Sequence, residues 1–299
     1  MILASLVMIG ATLGGAEDPV EELAEVERSR CYDVLIHGLE DESPFVRVHA
    51  AEALVSLHRP EPALAVFRPK SDTKEPVYRI VVWRVLAAAE SESEKRREYV
   101  GRIRAALLDP NGSDQTHAME ALAKLGEPAA ADAERQCIHE VADSAGPASP
   151  FALWRLVQAG KKDAVDRLAK LLQSKDPVTR IRAIYVLGRL RPERPAAGAA
   201  LSAALVTEPA DSSARSMLRA AVGGDALREL LGDTKLPPSD RYFAATFLAE
   251  SGTPRDYPRL ADLLCESHRD LRVSGAYASL KIDSRSTAKV STSGPEAIK

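Results

Sequence analysis

Apolar residues recur along this chain in phrases that open on a polar residue or a proline and then run at helical spacing. "ESPFVRVHAAEALVSL" (42–57), "KEPVYRIVVWRVLAAA" (74–89) and "KDPVTRIRAIYVLGRL" (175–190) are versions of one phrase. Aligned on the apolar residue that ends each phrase, eight anchors stand out: Leu54, Leu86, Leu122, Leu156, Leu187, Val222, Leu248 and Leu280, spaced 26 to 36 residues apart. Four residues before the anchor, six of the eight positions are alanine, and seven before it, five are arginine (Arg47, Arg79, Arg180, Arg215, Arg241). Ten before it stand Pro44, Pro76, Pro177 and Pro238, preceded in several units by Ser43, Glu75, Asn111, Asp176 or Asp211.

Each of these positions has a physical reason. Ser, Asp or Asn caps the free amides of a helix start, and proline is favoured just inside it. A small residue four before the anchor shares the anchor's face and lets a neighbouring helix come close. Gly126, Gly160 and Gly252, four after their anchors, suit a left-handed helix stop. Second helices are expected at 31–41, 97–109, 163–174, 198–206 and 257–267, so the unit is a pair of helices. One pair cannot bury its apolar face alone, and stacking pairs does. The predicted fold is all-α: a right-handed α–α superhelix of about eight helix pairs with an elongated curved surface. Four of the arginines follow a capping or acidic residue by four, which predicts helix-stabilising i,i+4 pairs rather than phosphate contacts.

At these residues the chain resembles the HEAT-like repeat family in its short bacterial form, the phycobilisome-lyase HEAT-like repeat. "DPVTRIRAIYVLGRL" follows that family's Asp, Val-Arg, Ala-rich, Ala-Leu-Gly pattern. The resemblance spans roughly 30–283 and is strongest in the first and fifth units, whereas the sixth and seventh are degraded. The Trp/Leu-Gly/Tyr signature of tetratricopeptide repeats is absent. The resemblance implies a non-catalytic protein-interaction scaffold without cofactor or metal, and a polar ladder formed between repeats by the arginines. Three other roles stay open: a bilin-lyase-like or other enzyme accessory, a nucleic-acid-binding HEAT-like protein such as a glycosylase, and a segment of a larger assembly.

Composition narrows this little. The 299 residues are 45% hydrophobic and 28% charged with a net charge of −3, which argues against a whole-protein fit to DNA. Cys31, Cys137 and Cys265 are far apart and match no zinc, haem or redox spacing. His49 and His117 share a repeat position but are separated by a whole unit. His139–Glu140 is the one His-Glu pair, where HEAT-like di-iron hydroxylases carry four. "GGDALREL" (223–230) follows a helix rather than a strand, which removes it as a dinucleotide loop. Residues 1–16, apolar and then small, resemble a secretory signal without a basic start. The expected division is a signal at 1–16, a solenoid at 17–283 and a disordered tail at 284–299. The mature protein is then periplasmic or secreted, and otherwise cytoplasmic. A monomer without a membrane span after the N-terminal segment is expected.

One regional feature points to a site. Residues 151–199 carry eleven Lys or Arg against four acids, a net +7, whereas 17–42 carry ten acids against two arginines. Within the basic units Trp154 and Tyr185 both stand two before their anchors, a position that points away from the anchor stripe. They form either a shared platform flanked by arginine or packing between adjacent helices beneath a solvated charged face. On the first reading Trp154, Arg155, Arg182, Tyr185 and Arg189 bind an acidic or extended protein partner.

Overall fold

The computed structural model describes residues 22–209, 212 and 214–292. The expected signal at 1–16, Asp211 and the last seven residues lie outside them. Among the described residues there are α-helices and short 3-10 turns and no strand. The even-numbered helices carry the repeated phrase: α2 (Pro44–Ser56), α4 (Pro76–Ala89), α6 (Gln115–Lys124), α8 (Ser149–Gln158), α10 (Pro177–Leu190), α12 (Arg215–Val222), α14 (Pro238–Ser251) and α16 (Arg269–Thr292). The odd-numbered helices are their partners: α1 (Glu25–Gly38), α3 (Glu61–Phe67), α5 (Ser93–Leu108), α7 (Asp132–Asp143), α9 (Ala164–Leu171), α11 (Pro195–Thr207), α13 (Asp225–Gly232) and α15 (Tyr257–Leu263). The described residues thus form an all-helical α-solenoid of eight pairs. Helices α3, α7 and α13 had no counterpart among the expected second helices.

The register of the repeat is the register of the core. Every anchor except Val222 is buried, as is every residue four before an anchor, Ala50, Ala118, Ala183 and Ala244 at 0% exposure. Asp176 caps α10 by accepting hydrogen bonds from the amides of Val178 and Thr179. Ser43 and Glu75 occupy cap positions without a side-chain cap bond, and α6 is entered through Asp114 rather than Asn111. Gly126 and Gly160 are left-handed (φ 68° and 77°), but Gly252 is not.

Among the described residues, Arg79 and Arg180 do not pair with the acids four residues back, Glu75 and Asp176. Arg47 donates to the Asp41 carbonyl (2.7 Å), Arg180 to that of Ser174 (3.5 Å), and Arg215 to that of Glu208. Each therefore ties the start of an inner helix to the loop before it, where helix-end carbonyls lack intrahelical partners. Arg79 reaches Asp114 (2.6 Å) and Arg241 reaches Glu266 (2.6 Å), bonds from one unit to the next. In the last unit Arg272 makes the same loop bonds, to the carbonyls of Glu266 and Ser267. That moves the register of α16 by one, so the anchor is Ser279, not Leu280, and Gly275 takes the alanine position. A Cβ on Gly275 would stand 2.7 Å from the Leu263 side chain, so only glycine permits that helix approach.

The pairs do not extend into an open superhelix. Helix α16 packs on α14 and α15 and also on α1 and α2, so the last pair meets the first and the solenoid closes into a ring. The seam is polar as well as apolar. Asp283 accepts from the Leu23 amide (3.1 Å) and Arg28 (2.9 Å), Arg269 meets Asp41 (2.9 Å), and Ser56 meets Tyr277 (3.1 Å). The expected elongated concave surface is therefore absent: its two ends are joined. Helix α16 also continues to Thr292, into the segment expected to be disordered, and Arg285 ties it to the carbonyls of Ala249 and Gly252. No described helix is long and apolar enough to cross a membrane.

Candidate functional site

Two successive reversals through an outer helix leave all the inner helices running the same way. Their cross-contacts agree. Midpoints meet at Glu52–Arg84, C-terminal ends meet at Gln158 and the Ala123 carbonyl (2.8 Å), and N-terminal ends meet at Arg182 and the Pro147 carbonyl (2.9 Å). Residues in phase two before the anchor then project into the ring. From α2 to α16 they read Glu52, Arg84, Glu120, Trp154, Tyr185, Ala220, Thr246 and Tyr277, the last taken on the Ser279 register. All except Ala220 line one central cavity of about 830 Å³, to which every inner helix contributes.

The cavity has two unlike sides. On α2, α4 and α6 lies an ionic cluster: Arg84 pairs with Glu52, and Lys124 with Glu120 at 2.7 Å. Burial works against the charge of all four, and the opposite charges outweigh it. Lys124 and Arg84 bring the Glu120 carboxyl down to about 2. Arg84, Lys124 and His49 hold Glu52 below its ordinary value. Glu120 in turn holds the Lys124 ammonium up, and Glu52 and Glu120 do so for Arg84. The cluster is therefore fully ionised and neutral in sum. Arg84 is 7% exposed, and its Nε is buried without an acceptor.

On α8, α10 and α14 the lining is aromatic. Trp154 meets Tyr185 edge-on at 6.2 Å, Tyr185 meets Phe243 at 6.4 Å, and Phe243 meets Tyr242 edge-on at 5.7 Å. The series continues to His49 across the seam, at 4.9 Å from Tyr242. Such offsets are the favoured geometry of aromatic pairs. Two cations lie against this wall, Lys124 over Tyr185 at 5.6 Å and Arg182 over Phe151 at 5.4 Å.

Of the five residues singled out from sequence, Trp154, Arg182, Tyr185 and Arg189 line the cavity. Trp154 and Tyr185 do pack between adjacent helices, and the faces they share are the inside of the ring rather than an outer platform. Arg155 does not belong with them. It is 4% exposed and turned to the outer layer, where it bonds Glu134 at 2.6 Å and the Glu127 carbonyl at 3.1 Å. One position after Trp154 on a helix, it cannot share the tryptophan's face. The +7 of residues 151–199 is likewise dispersed. Arg167 pairs with Asp143 on the outside, Arg191 bonds the Val222 carbonyl, and only Arg182 and Arg189 reach the cavity.

Glu52, Arg84, Glu120, Lys124, Tyr242 and Phe243 were not singled out from sequence. The signal that finds them is the phase of Trp154 and Tyr185 carried around all eight units. Among the described residues no group of His, Cys, Asp and Glu could hold a metal ion.

A family model described as HEAT repeats matches residues 150–223, the stretch from α8 through α12 that holds Trp154 and Tyr185 of the aromatic wall and all five sequence-derived site residues. That match does not specify the phycobilisome-lyase subtype. No curated protein matches the chain. With its repeat register buried as the helix pairs require, the chain is an all-helical α-solenoid whose residues 150–223 match HEAT repeats.

Proposed function

We propose that this chain is a non-catalytic binding module that takes an extended, acidic segment of a protein partner into the interior of its ring. HEAT-repeat solenoids commonly serve protein interaction through the face made by their inner helices. Here ring closure turns that face inward. The observation that carries the reading is the cavity itself. Every inner helix contributes to it, it combines an aromatic wall with arginine and lysine, and it is too narrow for a folded domain. A volume near 830 Å³ lies in the range that small ligands and short segments fill. Aromatic residues beside arginine are the mix enriched where binding energy concentrates.

The test is a peptide display library sorted on the full chain. Acidic peptides should be enriched, and their capture should fail on a Trp154→Ala, Arg182→Glu double variant of unchanged helicity. Enrichment that ignores both changes, or no enrichment at all, contradicts the reading.

A further inference from the structure

Resting on that reading of the ring interior, we propose that the cavity seats one carboxylate borne on an apolar or aromatic body. Arg182 receives the carboxylate, and the wall of Phe151, Trp154, Tyr185 and Phe243 receives the body. The charges of the lining point to Arg182. Arg84 has Glu52, Lys124 has Glu120, and Arg189 has Glu250 at 3.5 Å. Asp270, the remaining acid of the lining, faces His49 at 3.0 Å. Among the described residues Arg182 is the cation of this lining that makes no ion pair; its charge reaches Asp176, whose carboxylate is engaged in capping α10. Its Nη1 donates to the Pro147 carbonyl at 2.9 Å, and its guanidinium lies against Phe151. A guanidinium carries five N–H donors, so most of the fork remains for a ligand. A half-buried guanidinium with free donors is open to a single anion.

The anion is defined by what surrounds it. Glu52 and Glu120 are already balanced by Arg84 and Lys124, so a monoanion balances Arg182 alone and a dianion would leave one charge uncompensated. A carboxylate matches the planar fork with two parallel hydrogen bonds. The body is defined by the wall. Trp154 and Tyr185, edge to face, turn apolar ring surface into the space beside Arg182, and Phe243 extends it. Two sources supply this chemistry: the C-terminal residue of a polypeptide and a free aryl or alkyl acid.

Fluorescence distinguishes them, because Trp154 and Trp83 are the two tryptophans. Trp83 lies away from the cavity, its indole N–H bonded to the Ser71 carbonyl. In a full-length Trp83→Phe background the emission reports the ring interior alone. The probes are 3-phenylpropionate and its amide, and a tripeptide ending in phenylalanine with a free or an amidated C-terminus. The acids should shift the emission saturably, and the amides should not. Arg182→Gln should weaken the acids about tenfold or more, as loss of a charge-assisted hydrogen bond implies. If Arg182→Gln lowers helicity, Arg182→Lys replaces it, and affinity must still fall with the loss of the fork. Equal binding of free acid and peptide assigns the site to small acids, and binding of the peptide alone assigns it to a protein C-terminus. Acids and amides that titrate alike, an affinity indifferent to both Arg182 variants, or no response to any acid at millimolar concentration overturns the proposal. Acidic peptides with an amidated C-terminus that bind as well as the free form and still need Trp154 and Arg182 would overturn it while leaving the broader binding function intact.

Discussion

Arg28 and Asp283 stand 255 residues apart in sequence and 2.9 Å apart in space, the Arg28 Nε donating to the Asp283 carboxylate. The same carboxylate accepts the Leu23 amide at 3.1 Å. These bonds join α1 to α16. Asp283→Ala would strand the buried Leu23 amide and leave the Arg28 guanidinium to Glu25 and the Leu23 carbonyl, which costs about 1–3 kcal/mol. Denaturant unfolding of wild type and variant measures it. A loss under half a kcal/mol would show that the seam does not depend on this residue.

Arg155 and Glu134 predict a separation of stability from binding. Both side chains are almost wholly buried, at 2% and 1% exposure. Arg155→Met leaves Glu134 with the Ala130 amide and Arg104, whose Nε is 3.3 Å away. Breaking a buried pair costs about 3–5 kcal/mol, and the remaining partners place this change toward the lower figure. The affinity of any ligand held inside the ring should not change. A stable variant with weakened binding would return Arg155 to the site.

His117 predicts a pH dependence. Burial, helped by Arg182 and Arg84 against Glu120 and Asp114, holds its imidazole below the ordinary value of 6.5. The unfolded chain therefore takes up a proton at a higher pH than the folded chain does. The neutral imidazole contributes fully above about pH 6.5, and that contribution is lost as pH falls toward the folded value. The urea midpoint should decline from pH 7 to pH 5, and His117→Asn should flatten the decline. Parallel curves for the two proteins would exclude His117 as the cause.

Much of this was legible in the chain. Leu187 and Ala183 announce their register because a stacked pair must bury one stripe, and nothing else satisfies that demand. The phase of Trp154 and Tyr185 already names the interior, though not that it is an interior. Arg155 misleads because its partner sits on α7, whose sequence around Glu134 carries no repeat signal. The last unit slips by one for a physical reason. Helix α16 is covered by neighbours on both flanks, so Leu280 and Ile282 are buried beside the true anchor and hide the phase, which Arg272 alone preserves. Closure itself has no local signature: Asp283 looks like the last residue before a polar tail until α1 is placed beside it.

Small-angle scattering of the full chain tests the ring most directly. A compact chain of this length has a radius of gyration of about 20 Å. Eight pairs stacked at roughly 10 Å each would instead extend to roughly 80 Å. The ring predicts a value near the compact one and a distance distribution that ends well short of the open stack. A radius of gyration of about 25 Å, as an 80 Å stack would have, with distances reaching the stacked length, would contradict closure and return the inner helices to an open concave face.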